Sequence, residues 1–238
     1  MTKIAIMQPY MFPYIGYFQL INAVDTFVLL DSVTFIKKGW INRNRILSSN
    51  GPLTFSIPLS KPSQNKLIRD TYLHNEYRQW SKKFLKTIRQ SYSKAPNFEE
   101  VYGLVESGLV GDNLISVSEL CRRSLSLVCE FLGITTEISS SSLYDTGGLK
   151  AEDRIIKICE LSDAEHYINL SGGKSLYSFS NFQEKGLTLS FISSKDIAYK
   201  QYKEPHEAWL SIIDILMFNS VEEVKKMLEN TNIEVENV

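Results

Sequence analysis

Lys37–Arg45, KKGWINRNR, packs four cations, a tryptophan and two asparagines into one short segment. Arginine offers a planar fork that fits pairs of carboxylate or phosphate oxygens. The Trp40 ring offers a face on which a base or sugar can stack. Lys37, Lys38, Arg43 and Arg45, with Trp40 and Asn42 among them, therefore read as an anion or nucleotide site. A solvated basic loop is the competing reading. Two aspartates add a carboxylate each. Asp31 closes the apolar run TFVLL, at the strand end where α/β sites lie. Asp214 sits among Ile212, Ile213, Ile215 and Leu216, where a carboxylate needs a partner or solvent because unpaired burial is expensive. Either could bind an amine or act as a base, and nothing local distinguishes them.

Two turns supply further candidates. In Asn169–Lys174, NLSGGK, a strand ending in Ser171-Gly172-Gly173 before a helix would expose backbone N–H groups to an anion. The spacing is not that of a P-loop. In Met7–Phe18, MQPYMFPYIGYF, Pro9 and Pro13 stiffen a loop between a strand and a helix. Gly16 permits close approach of a backbone or a ligand. Gln8, Tyr10, Tyr14, Gly16 and Tyr17 of this loop are candidate pocket residues, as are Tyr177 and Gln201. Ser211 and Asn219 flank Asp214, and Ser211 reads equally well as a helix cap.

Bulk properties narrow the function classes. The 238 residues are 43% hydrophobic and 22% charged, with net charge −1, so no basic excess argues for nucleic acid. No apolar run reaches membrane-spanning length. The N-terminal residues lack a signal-peptide pattern. Cys121, Cys129 and Cys159 fall in apolar helical patterns and read as reduced core residues. A cytoplasmic location is expected. His74, His166 and His206 have no metal-ligand spacing, so no metal site is expected, and neither a nucleophile elbow nor a dinucleotide fingerprint occurs.

These residues need elements to position them. Strands are expected at Ile4–Met7, Thr26–Leu30 with Val33–Ile36 as a continuation, Leu53–Pro58, Ile134–Ile138, His166–Leu170 and Leu187–Ile192. Helices are expected at Tyr14–Val24, Tyr77–Tyr92, Phe98–Val110, Asn113–Leu132, Ala151–Leu161, Lys174–Gln183, Leu210–Phe218 and Val221–Glu229. Ser139–Ser142 and Asp145–Gly148 read as flexible loop. The pattern is α/β and Rossmann-like, one domain over 1–238. Its sheet is mostly parallel, and a helical insertion occupies about residues 74–133.

The chain also resembles the WbqC-like family of bacterial polysaccharide and O-antigen gene clusters. The matching blocks are Met7–Ile21, Asp31, Lys37–Ile46, Tyr167–Tyr177, Tyr199–Gln201 and Leu210–Asn219. Met7 stands where some relatives have histidine, and Lys203–Trp209 departs from the family's Phe-Val-Pro pattern. The resemblance implies transfer of glycine, or another amino acid or acyl group, to the amine of a nucleotide-linked amino sugar. A second resemblance is to class I adenylyl-transferring (HUP, nucleotidylyltransferase-like) folds. There Tyr14–Tyr17 stands where a His-x-Gly-His turn lies. It implies ATP with Mg²⁺, and adenylyl or nucleotidyl transfer, as the alternative. A non-catalytic partner in glycan assembly is the third reading.

Overall fold

The computed structural model describes residues 1–111, 115–195, 197–202 and 204–235. In chain order the strands are β1 (Lys3–Met7), β2 (Thr26–Leu29), β3 (Arg43–Ser48), β4 (Gly51–Ser56), β5 (Glu137–Ser140), β6 (His166–Leu170), β7 (Thr188–Ser194) and β8 (Thr231–Val235). The helices are α1 (Ile15–Asn22), α2 (Tyr77–Tyr92), α3 (Phe98–Leu109), α4 (Val117–Leu132), α5 (Ala151–Leu161), α6 (Phe179–Glu184), α7 (Ile212–Phe218) and α8 (Val221–Glu229).

Six strands form one sheet in the order β5-β2-β1-β6-β7-β8. The first five of these are parallel, and β8 runs antiparallel along the edge of β7. Period-two alternation divides the side chains between two layers. Ile4, Ile6, Val28, Tyr167, Leu189 and Phe191 pack with Ile155, Ile158 and Cys159 of α5 and Phe182 of α6. Ala5, Phe27, Leu29, Ile168 and Ile192 face the larger core built from α1 to α4, α7 and α8. A sheet covered on both faces needs apolar residues on both, so β1 and β2 read as continuous apolar runs. The result is a Rossmann-like α/β fold in which strand order reverses between β1 and β6.

Helices α2, α3 and α4 occupy the stretch expected to be a helical insertion. The start expected for the third, at Asn113, lies outside the described residues. The helix runs from Val117, where Ser116 and Glu119 satisfy each other's backbone donors, to a left-handed Gly133.

Several local expectations are corrected. Val33–Ile36 does not extend β2; the chain leaves the sheet, and Thr34 bridges Leu67 instead. Arg43–Ser48, to which no element was assigned from the sequence, is a strand in an antiparallel hairpin with β4, apart from the main sheet. Ile134 completes the end of α4 by donating to the Cys129 carbonyl, so β5 begins only at Glu137, in register with Thr26 of β2. Ser139 and Ser140, expected in a loop, belong to that strand. A 3-10 turn spans Ser171–Leu176, and α6 starts at Phe179 rather than Lys174. Strand β8, absent from the sequence reading, is short and largely exposed, as an edge strand can be.

Candidate functional site

The reversal between β1 and β6 opens into a cavity of about 800 Å³. The loop after β1 forms one wall, through Gln8, Tyr10, Tyr14, Gly16 and Tyr17. The 3-10 turn after β6 forms another, through Asn169, Ser171, Gly172, Gly173 and Tyr177. Trp40 closes a third side. These are predicted residues, distant in sequence, and they converge because parallel strands deliver their following loops to one edge of the sheet.

The first loop is shaped by buried polar side chains. Phe12 takes a left-handed φ of 43°, an uncommon conformation for a bulky residue. Its N–H donates to Ser124 Oγ at 3.2 Å. Its carbonyl accepts from Asn44 Nδ2 at 2.6 Å and from Ser211 Oγ at 2.7 Å. Asn44, fully buried in β3, also donates to the Met11 carbonyl and accepts from the Tyr10 hydroxyl at 3.1 Å. At the entry to α1, a Cβ on Gly16 would lie 2.4 Å from Tyr14 Cε2. Glycine there lets the Tyr14 ring fold against the helix.

The second wall is a hydrogen-bonded set. Asn169 Nδ2 donates to the hydroxyls of Tyr167 and Tyr177 at 2.8 and 2.9 Å. Asn169 Oδ1 accepts from the Leu170 N–H. Burial is the largest cause pushing the phenols of Tyr10, Tyr14, Tyr17 and Tyr177 above their ordinary value. All four therefore keep their protons at neutral pH and line the cavity as neutral phenols.

The basic segment is split by the strand. Lys37 and Lys38 are exposed between two residues of the cavity mouth, Ile36 and Gly39, without lining it. Arg43 lies over the Trp40 ring and donates to the Lys38 carbonyl. Asn42 donates to the Ile57 carbonyl. Arg45 Nη2 donates to the carbonyls of Ala208 and Trp209, and Nη1 approaches Glu207 at 3.8 Å. Of Lys37, Lys38, Trp40, Asn42, Arg43 and Arg45, the cavity is lined by Trp40 alone.

Neither candidate aspartate lines the cavity. Asp31 is buried, accepting from Ser118 Oγ and Ser141 Oγ at 3.1 Å each, and so ties β2 to α4 and to the turn after β5. Asp214 is fully buried on α7 and accepts from Tyr92, Tyr199 and Gln201 at 2.7, 2.6 and 2.8 Å. Burial raises its carboxyl pKa, and those three hydrogen bonds oppose the rise. Gln201 turns its carbonyl oxygen to the Glu207 N–H, so the network orders the segment leading to Trp209.

Trp209 is the residue sequence reasoning missed. Its ring lies 5.4 Å from that of Tyr14 at the edge of the cavity. Its only local signal was its place in the segment that departs from the family pattern. Asn44 was missed as well, though it alternates with Arg43 and Arg45 as an inward residue of a strand would. Among the described residues no group of His, Cys, Asp and Glu could hold a metal, and no helix is long and apolar enough to cross a membrane.

Residues 8–226 match the sequence model of the WbqC-like protein family. An uncharacterized protein of Mycobacterium tuberculosis is 30% identical over 220 residues, covering 91% of this chain and 93% of the relative. No solved structure matches the chain significantly.

Proposed function

We propose a function on this premise: the chain belongs to the WbqC-like protein family. The reading is an enzyme of surface-polysaccharide synthesis in the cytoplasm. It transfers glycine, or another aminoacyl or acyl group, to the amine of a nucleotide-linked amino sugar. The amine nitrogen attacks the acyl carbon, a C–N bond forms, the bond to the activating group breaks with its electrons leaving on that group, and the departing group takes up the proton that the nitrogen loses.

The observation that carries this reading is the cavity at the strand-order reversal, about 800 Å³ and walled by aromatics with few polar groups. Small-molecule sites are commonly about 300–1,000 Å³ and built in this way. In this reading Trp40 and Trp209 stack on the base. The Ser171–Gly173 backbone meets the diphosphate, and the exposed Lys37 and Lys38 draw the anion to the mouth. Gln8, Asn169 and Tyr177 bind the sugar. Tyr14, a neutral phenol, donates to the acyl oxygen as charge develops on it. Arg45, Asp31 and Asp214 hold the walls.

A thermal-shift series tests the reading. The ligands are UDP- and dTDP-amino sugars, glycine, an acyl-CoA, and ATP with Mg²⁺. A nucleotide-amino sugar at about 100 times its Kd should add about 2.7 kcal/mol of stability, and Trp40→Ala should weaken that shift. Stabilisation by ATP with Mg²⁺ but by no nucleotide sugar overturns it in favour of adenylyl transfer. No response to any nucleotide overturns it in favour of a non-catalytic assembly partner.

A further inference from the structure

Tyr167 and Asn169 share one face of β6, and Tyr177 returns to them after the 3-10 turn. Three rings brace the Tyr177 ring: Tyr167 at 5.4 Å, Phe182 at 5.8 Å and Phe191 at 6.4 Å. Tyr177 thus has a fixed place in the cavity wall. Tyr167 is fully buried and does not line the cavity. The polar groups here admit one pattern of protons. The Leu170 N–H can only donate, so it takes Asn169 Oδ1, and Asn169 Nδ2 is left to face the two hydroxyls. A phenol has one proton to give and two lone pairs to fill. The Tyr167 proton has two acceptors in reach, the Tyr177 oxygen at 3.0 Å and the Ile6 carbonyl at 3.5 Å. Only the first lies within the range of an O–H···O bond. A buried hydroxyl without an acceptor is costly, so Tyr167 donates to Tyr177. The Tyr177 oxygen then accepts twice, from Asn169 and from Tyr167, and both its lone pairs are filled. Its own proton meets no acceptor among the described residues, and the side left to it is the cavity that Tyr177 lines.

We propose that Tyr167 is a positioning residue that makes Tyr177 a one-way donor into the large cavity, so that this wall takes an oxygen of the ligand and refuses a protonated amine. The oxygen is that of a hydroxyl, a carbonyl or a phosphate, each of which can accept. Two incoming hydrogen bonds also polarise the Tyr177 O–H and strengthen what it gives. Where the ligand is an amino sugar, the proposal rests on the amide-forming reading above and sharpens it. An amine whose lone pair is held by the Tyr177 proton cannot attack an acyl carbon. A hydroxyl of the sugar therefore meets Tyr177, and the amine lies away from this wall.

Neutron diffraction from crystals of the full chain in heavy water reads the proton directions without any ligand. The Tyr167 deuterium should lie on the line to the Tyr177 oxygen, and the Tyr177 deuterium should point into the cavity. A Tyr177 deuterium on the line to Tyr167 overturns the proposal. Calorimetry with UDP-glucosamine reads the consequence for binding. Tyr177→Phe should weaken it about three- to tenfold, the worth of one net hydrogen bond; unchanged affinity overturns the contact. Tyr167→Phe keeps the ring and should weaken it about twofold or more, and that loss should disappear when Tyr177 is already Phe. An equal loss in both backgrounds makes Tyr167 merely structural and overturns its positioning role. Deuterium positions as expected, in a parent chain that binds no nucleotide sugar, keep the one-way donor and overturn the amide-forming reading.

Discussion

Arg45 donates to the Trp209 carbonyl oxygen at 3.2 Å, so a cation from β3 fixes the backbone of an aromatic at the cavity edge. The same guanidinium reaches the Ala208 carbonyl at 3.2 Å. Both bonds come from Nη2, whose two N–H groups are held in the plane of the guanidinium, while an ammonium on a shorter stem lacks that fixed direction. Arg45 therefore acts on the site through Trp209.

Arg45→Lys should loosen that backbone. The expected stability loss is small, about 0.5–1.5 kcal/mol, because these bonds are exposed and exchange with water. Trp209 should become more mobile. Tryptophan fluorescence anisotropy should fall, measured in a Trp40→Phe, Trp80→Phe background that reports Trp209 alone. Anisotropy equal to the parent's would mean that Arg45 does not hold the ring's attachment.

Asn44→Ala removes a side chain that satisfies the Met11 and Phe12 carbonyls and the Tyr10 hydroxyl. The Met11 carbonyl loses its side-chain donor and the Phe12 carbonyl keeps only Ser211 Oγ; a buried acceptor deprived of its donor costs about 1–3 kcal/mol, and a left-handed Phe12 depends on these bonds. Urea denaturation should show a loss of at least about 2 kcal/mol with an unchanged slope. A loss below about 0.5 kcal/mol would place the loop's stability elsewhere.

Two glycines contact ring atoms and should respond differently. A Cβ on Gly16 meets the partly exposed Tyr14 ring, and a Cβ on Gly108 meets the buried Phe12 ring at 2.6 Å. Gly108→Ala has no space to expand into and should destabilise by about 1–3 kcal/mol. Gly16→Ala gains helix propensity of about 1 kcal/mol while displacing Tyr14, so stability should barely change and ligand binding should fall. Calorimetric unfolding beside ligand titration separates the two; equal stability losses would contradict the assigned contacts.

Asp214 gives a pH prediction. Burial holds its folded pKa above the ordinary carboxylate value. The folded state then binds the proton more tightly than the unfolded chain does. The group favours folding most at low pH, and that contribution is lost as pH rises through the raised pKa. Asp214→Asn cannot titrate and presents an amide to groups that donate. It should be less stable than the parent throughout, and the gap should narrow as pH rises from about 3.5 to 7. Denaturation midpoints of both proteins across this range decide the matter. A widening gap would mean that the three hydrogen bonds hold the carboxyl below its ordinary value.

Much of the architecture was legible because local chemistry settles it. Ile4–Ile6 and Thr26–Leu29 are apolar on both faces, as strands inside a covered sheet must be. Gly133 marks the end of α4 by its left-handed conformation, while the Ser116–Glu119 box that starts the helix was not read from the sequence, which placed the start at Asn113. Edges were less legible. Ile134 has a strand former's shape yet serves the helix end, because the register with Thr26 starts β5 at Glu137. Strand β8, TNIEV, is short, and its apolar Ile233 and Val235 stay exposed at the sheet edge, so only its pairing with β7 makes it a strand.

The sequence by itself placed two turns, Gln8–Tyr17 and Ser171–Gly173, after strands of a mostly parallel sheet, and the pairing of β1 with β6 brings them to one edge. Only the tertiary structure decided where the charged groups point. Asp31 turned inward because Ser118 and Ser141 arrive from elements distant in the chain. Arg45 turned to the Ala208 and Trp209 carbonyls for the same kind of reason. Periodicity and turn chemistry act between neighbours in sequence. The direction of a charged side chain depends on which remote groups satisfy it, and folding alone brings those groups within reach.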